Sequence, residues 1–260
     1  MNLPLSLVRT LTVMALLSPI TVHAALISHW DFDSGFTDGV GTHGGAAVGD
    51  AQISSNARLG GGSLLLDGSD DFVQLSGTLG IGSGSSTVAT WVRIPLANTN
   101  GLGSTERVGI VLGNYNSTPN SNWELHGAGQ MRMWWDNGSI NQYGTTDLRD
   151  DQWHHVAWVR DTALNRITMY IDGVIERVIT GAGTDINFTS AHRIGGDNRD
   201  GGGGPSFHGH LDDLRIYDEA LDIADVGLLA SMTDGNDVPV PAPVSLLLLA
   251  AGISLLRRRG

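Results

Sequence analysis

The sequence predicts an all-β protein, a two-sheet antiparallel sandwich of jelly-roll kind, and three observations carry that expectation. Between Ala25 and Thr233 the apolar residues fall in short runs bounded by Gly, Asp, Asn and Ser, the punctuation of strands joined by turns. No long amphipathic helical pattern interrupts them. Glycine occurs 36 times in 260 residues without a period of three and with only 8 prolines, which excludes a collagen-like chain and favours turn-rich β structure. With 41% hydrophobic residues the chain can bury a real core, so disorder over its whole length is excluded.

Residues 1–24 read as a secretory signal peptide. Arg9 precedes the apolar run Leu11 to Val22, and Val22-His23-Ala24 supplies the small residues that signal peptidase cleaves after. A domain follows over residues 25–233. Its expected strands begin with Leu26 to Phe32, Ser63 to Leu66, Phe72 to Leu75, Ser86 to Ile94, Val108 to Gly113 and Trp123 to His126. They continue with Gln130 to Trp135, His154 to Asp161, Arg166 to Ile171, Glu176 to Ile179, His192 to Ile194 and His208 to Tyr217. Strand periodicity puts Ile167, Met169 and Ile171 on one face and Arg166, Thr168 and Tyr170 on the other. Asp172-Gly173 marks a two-residue hairpin, since both residues tolerate the positive φ of a type I′ turn. One helix is expected, Leu221 to Leu229, opened by Asp218 or Asp222.

The C-terminus reads as a linker with a Pro-rich segment over 234–243, then the apolar run Val244 to Leu256 and the arginines Arg257, Arg258 and Arg259. Thirteen helical residues rise about 20 Å, short of the ~30 Å hydrocarbon core, so this is a marginal membrane anchor. The terminal arginines place the domain on the far side of the membrane. This tail resembles the PEP-CTERM sorting signal of Gram-negative bacteria through Val238, Pro239, Pro241 and the arginine cluster, although Val240 stands where that motif has glutamate. The resemblance implies an exosortase partner and a cell-surface or matrix location alongside exopolysaccharide.

Net charge and cysteine content narrow the function classes. The formal charge is −12. Outside residues 1–24 and 239–260 it is 27 acids against 11 arginines, which argues against nucleic acid, a partner that needs a basic stripe. Cysteine is absent, which excludes disulfides, thiolate metal sites and a cysteine nucleophile.

Several residue blocks recur in a family order. They are Trp30-Asp31-Phe32-Asp33, Gly62-Ser63-Leu64-Leu65-Leu66-Asp67-Gly68 with Asp71-Phe72-Val73, and Thr87-Val88-Ala89-Thr90-Trp91-Val92. Gln152-Trp153-His154-His155-Val156-Ala157, Met169-Tyr170-Ile171-Asp172-Gly173 and Ile194-Gly195-Gly196 follow, and Phe207 to Tyr217 with Ala220-Leu221 closes the chain. This order resembles the concanavalin A-like, laminin-G-type jelly roll of bacterial surface proteins and glycan-processing enzymes. The resemblance implies a fold, not a reaction.

Glycoside hydrolysis needs two carboxyls about 5 to 9 Å apart. Glu106, Glu124, Glu176 and Glu219 each stand alone, which argues against a hydrolase of that type. His154 and His155, adjacent on a strand, face opposite sides and suit structural hydrogen bonding better than a shared site. Calcium is the expected ligand, since it takes 6 to 8 oxygens of the kind Asp-rich turns supply, and the family resemblance implies it as structural support. If the first and last strands lie side by side, Asp31 or Asp33 meets Asp212 or Asp213. Asp33 and Asp212 are the chosen pair, with Asp71 in reserve; the same acids equally suit turn caps facing water. Asp197 to Gly201 is a weaker second candidate.

A glycan surface needs an exposed aromatic ring ringed by amide, carboxylate and guanidinium groups. Arg132 and Trp134 share one strand face, with Tyr115, Trp123 and Tyr143 expected in nearby loops. Trp134 suits a sugar platform and equally the space under a long loop, whereas Trp30, Trp91, Trp153 and Trp158 read as core. The expected role is a non-catalytic surface domain binding extracellular polysaccharide or matrix. Two rivals stand beside it, a polysaccharide-acting enzyme with an unrecognised site and a matrix or adhesion protein binding other proteins.

Overall fold

A computed structural model describes residues 24–96, 107–114, 120–135, 139–181, 192–196 and 206–235. The expected signal peptide, Pro-rich segment, membrane span and sorting residues, as well as Tyr115 and Asp197 to Gly201, lie outside them. Among the described residues no helix is long and apolar enough to cross a membrane.

The described residues form strands β1 (Leu26–Trp30), β2 (Gly45–Val48), β3 (Gln52–Ser54), β4 (Ser63–Asp67), β5 (Phe72–Leu75), β6 (Ser86–Arg93), β7 (Arg107–Asn114) and β8 (Ser121–His126). After these come β9 (Met131–Trp135), β10 (Ile140–Tyr143), β11 (Trp153–Asp161), β12 (Arg166–Ile171), β13 (Val174–Thr180), β14 (Arg193–Ile194), β15 (His208–Tyr217) and one helix, α1 (Ile223–Ser231). They build two antiparallel sheets. An eight-stranded sheet runs β13-β12-β11-β6-β15-β4-β3 with β1 also on β15, and a seven-stranded sheet runs β10-β9-β8-β7-β14-β5-β2.

The expected all-β sandwich is therefore the fold, and its core follows from strand alternation. Inward residues of both sheets, including Trp30, Leu64, Val92, Trp123, Met133, Trp135, Trp158, Met169 and Ile216, form one buried cluster between the layers. Ile167 and Met169 face into it as expected, while Tyr170 turns outward. A second cluster lies on the outer face of the eight-stranded sheet, where α1 packs Val226 and Leu229 against Trp91, Ala157, Tyr170 and Tyr217. Trp153 sits half-buried at its rim. Both cores lie within residues 24–235, so this span carries what it needs to fold alone.

The first strand does pair with the last, Trp30 opposite Leu214. Beyond the ladder, the amide of Ala25 donates to Asp218 Oδ1 at 3.0 Å. Asp218 thus ties the start of β1 to the end of β15 and leaves the helix to Asp222, whose carboxylate caps the amides of Ala224 and Asp225. This cap starts α1 two residues later than expected. At the β12–β13 hairpin, Asp172 and Gly173 have φ of 50° and 78° and Ile171 faces Val174, the type I′ geometry read from the sequence. The strands β2, β3 and β10 were not expected. Their sequences, Gly-Ala-Ala-Val, Gln-Ile-Ser and Ile-Asn-Gln-Tyr, are short and weak in β propensity, and neighbouring strands rather than local preference hold them. β1 ends at Trp30 rather than Phe32, whose φ of 56° breaks the extended run.

Candidate binding face

The turn at Gly127 to Gln130 sets β8 against β9, and β10 pairs antiparallel with the other edge of β9. The resulting register puts Asn122, Trp134 and Asn141 in one row across three strands, and Glu124, Arg132 and Tyr143 in the next. All six belong to the face that strand alternation turns away from the core, because Trp123, Leu125, Met131, Met133 and Trp135 take the inward positions. The result is a grid of two rows and three columns at the β10 end of the seven-stranded sheet.

Its base is a buried ion pair. Arg132 Nη1 donates to Glu124 Oε2 at 2.8 Å, and Asn122 Nδ2 donates to Glu124 Oε1 at 3.0 Å. Arg132 Nε reaches Asn141 Oδ1 at 3.0 Å, and its guanidinium lies 5.2 Å from the Tyr143 ring. Asn122 Oδ1 in turn accepts from the Asn114 amide. Glu124 and Asn122 are fully buried, whereas Trp134 and Tyr143 are half-buried and Asn141 is exposed. The base is thus neutralised and fixed, and of the six residues of the grid the two rings and Asn141 keep exposed surface. Along the same face, Arg193 donates to Gln74 Oε1 at 2.9 Å and lies 4.0 Å over the Phe72 ring.

Of the expected aromatic and basic residues, Arg132, Trp134 and Tyr143 come together. Trp123 does not: it lies in β8, is 2% exposed and packs 6.3 Å from Trp135. Alternation within Asn122-Trp123-Glu124-Leu125 dictates this, as the two polar neighbours take the outer face. The same alternation was the available signal for Asn122 and Glu124. Asn141 carried none, because its strand was unrecognised.

The expected calcium ligands are dispersed. Asp212 faces the β3–β4 loop, where Oδ2 accepts from the amides of Arg58 and Leu59 at 2.7 and 2.9 Å, while Oδ1 is buried without a hydrogen bond. Burial pushes its pKa up to about 7 despite those two donors. Asp33 accepts from the Gly61 and Gly62 amides of the same loop. The two acids hold one loop from two sides. Here β15 shifts register, with Asp213 at a φ of 52°. Asp213, not Asp212, lines a small cavity with Asp31, Asp33, Leu59 and Gly60. Both Asp213 oxygens are engaged, by His29 Nε2 at 2.6 Å and by Arg215, and these bonds hold its carboxyl below the usual range against the effect of burial.

Asp71 lies elsewhere, with Asp67 and Asp70, and one carboxylate oxygen from each falls within 4.8 Å of the others. This is the one group of three acids among the described residues whose spacing fits a single cation. Asp71 already accepts from the amides of Asp50 and Asp67, and burial raises its pKa. The paired histidines separate as expected. His154 lies between Asp172 and Asp150, whose bonds raise its pKa, while His155 is buried edge-on to Trp91 at 5.3 Å and pushed down to about 4.

A two-sheet jelly roll with a polar, aromatic-bearing sheet face defines a class of β-sandwich domain, and comparison with known proteins places the chain within it. The model of the concanavalin A-like lectin/glucanases superfamily matches residues 67–227, and the protein belongs to this family. No curated protein matches it in sequence. Among solved structures, domain 4 of an extracellular arabinanase from Geobacillus stearothermophilus, in complex with arabinotriose, is similar at 22% identity and a TM-score of 0.64, covering 80% of this chain and 100% of that one. The CBM40 of a Ruminococcus gnavus sialidase, bound to alpha2,3 sialyllactose, is 15% identical with a TM-score of 0.53, covering 65% and 96%. The binding domain of Paraclostridial Mosquitocidal Protein 1 is 17% identical with a TM-score of 0.59; 80% of this chain spans about half of it, 52%. These likenesses show a shared fold.

Proposed function

We propose that the protein is an exported, non-catalytic domain that binds extracellular glycan on the outer face of the seven-stranded sheet. The grid carries this reading: two half-buried rings, Trp134 and Tyr143, stand beside the Asn141 amide on a base neutralised by the Glu124–Arg132 pair. Aromatic faces take up the apolar face of a sugar, and amides meet its hydroxyls. The complexes of the arabinanase domain with arabinotriose and of the sialidase CBM40 with sialyllactose support the reading by analogy of fold. The absence of catalysis rests on Glu124, whose oxygens are committed to Arg132 and Asn122 with no second carboxylate among the described residues of the grid.

Export by signal peptidase and retention at the surface through an exosortase-type tail complete the proposal and rest on the terminal sequences alone. A structural calcium is part of the proposal, and the spacing of Asp71 with Asp67 and Asp70, one carboxylate oxygen of each within 4.8 Å of the others, supports Asp71 as its ligand. A glycan array with residues 24–235 tests the binding reading. Binding that Trp134→Ala and Tyr143→Ala abolish without loss of folding is the expected result. No glycan bound with or without calcium, or binding indifferent to both variants, sinks it.

A further inference from the structure

β13 ends the eight-stranded sheet, and no described strand pairs with its far edge. Open edges are usually guarded by charge or by a bulge. β13 has Glu176 and Arg177 at its centre and a bulge there, opposite Met169 and Tyr170. Both charges, however, are engaged elsewhere. The Glu176 carboxylate accepts from the amides and hydroxyls of Thr145 and Thr146, and Arg177 donates to Gln142 Oε1 at 2.7 Å. The charged side chains are tied to β10 and the chain that follows it, and the edge is left to Val174, Ile175 and Val178, which are 68, 46 and 49% exposed.

The bulge gives these apolar residues a common phase. Ile175 faces Tyr170 and Val178 faces Thr168, so both stand on the outer face of the sheet although three residues apart. The two-residue turn makes Ile171 and Val174 a hydrogen-bonded pair, and alternation from there makes Ile175 and Val178 non-hydrogen-bonded partners of β12. Their N–H and C=O groups therefore point to the open edge.

Val174-Ile175-Glu176-Arg177-Val178 is complementary to itself when reversed. About a twofold axis between Glu176 and Arg177, Ile175 of one copy lies opposite Val178 of the other, both with edge-facing amides, and Glu176 lies opposite Arg177. An axis centred on either charged residue would instead place it against its own copy, which like charges oppose. We infer that the protein self-associates through β13, a second copy pairing antiparallel in this register so that the two eight-stranded sheets become one, with Ile175 and Val178 of both copies forming an apolar strip across the axis. The acidic surplus of the chain opposes this association, so added salt strengthens it.

Sedimentation equilibrium of residues 24–235 in moderate salt is expected to show a dimer. Val178→Lys, which sets two cations beside the axis, shifts it to monomer at least tenfold in dissociation constant, while its circular dichroism still shows the folded β protein. Val40→Lys, at an exposed site outside the strand, leaves the dimer intact. The chain has no cysteine, so engineered thiols report register directly. A short thiol cross-linker joins Ile175→Cys chains to Val178→Cys chains more efficiently than either variant to itself. A monomer at all concentrations, a dimer indifferent to Val178→Lys, or homotypic cross-links as strong as the mixed one overturns the inference.

Discussion

Trp158 donates its indole N–H to the carbonyl of Arg132 at 3.2 Å, from one sheet to the other through the centre of the core. Arg132 also holds Glu124 and Asn141 on the far side of its own strand. The backbone of the central grid residue is thus fixed by a tryptophan of the opposite layer, and the site inherits its rigidity from the core.

Trp158→Phe removes that donor and opens a small void. A loss of about 1–2 kcal/mol in urea unfolding is expected. Any glycan affinity should fall with it, whereas an equally destabilising change in the α1 cluster, such as Val226→Ala, should leave affinity unchanged.

Glu124→Gln leaves the Arg132 charge buried without its counter-charge, and removing one partner of a buried pair costs about 3–5 kcal/mol. The double variant Glu124→Leu with Arg132→Met deletes both charges. Its unfolding midpoint should lie closer to the parent's than that of the single variant, and the reverse order would show that the pair is not acting as a pair.

Asp212 gives a pH dependence whose sign follows from its raised pKa. In the unfolded chain the carboxyl ionises near 3.8, and in the fold only near 7, so stability declines as pH rises between these values and is lowest above them. Asp212→Asn keeps an oxygen for the Arg58 and Leu59 amides and removes the ionisation. It should stabilise the protein at pH 8 by a few kcal/mol, in order of magnitude, and far less at pH 4. Chemical denaturation at the two values measures this.

His155 acts in the opposite direction. Its pKa falls from 6.5 to about 4 on burial, so the stability of the neutral ring is complete above 6.5 and is lost as pH falls toward 4. His155→Phe keeps an aromatic edge against Trp91. Its unfolding free energy should lose less than the parent's between pH 7 and pH 4, and equal acid sensitivity would place the proton elsewhere.

The sandwich was legible because its signals are local. Asp172-Gly173 demands one turn type, and the alternation at Ile167 to Ile171 assigns inside and outside without knowledge of any partner. Arg132 and Trp134 were readable on one face for the same reason. Their neighbours were not, since setting Asn122 and Glu124 beside them needs the register of β8 on β9, and setting Asn141 there needs a polar edge strand that exists only because β9 is present to pair with it. That Asp213 rather than Asp212 lines the small cavity with Asp31 and Asp33 follows from the left-handed Asp213, which re-phases β15 and has no reliable mark in sequence.

The ladder of β15 also bears on how the domain assembles. Its residues pair with β4, β6 and β1, and Ala25 meets a partner 193 residues away. Until β15 arrives, β6 and β4 have no common neighbour and β1 has no sheet to join. Closing such long loops before any contact compensates the lost entropy makes folding slow and late. A chain interrupted before His208 therefore lacks the strand that joins β1, β4 and β6 into one layer.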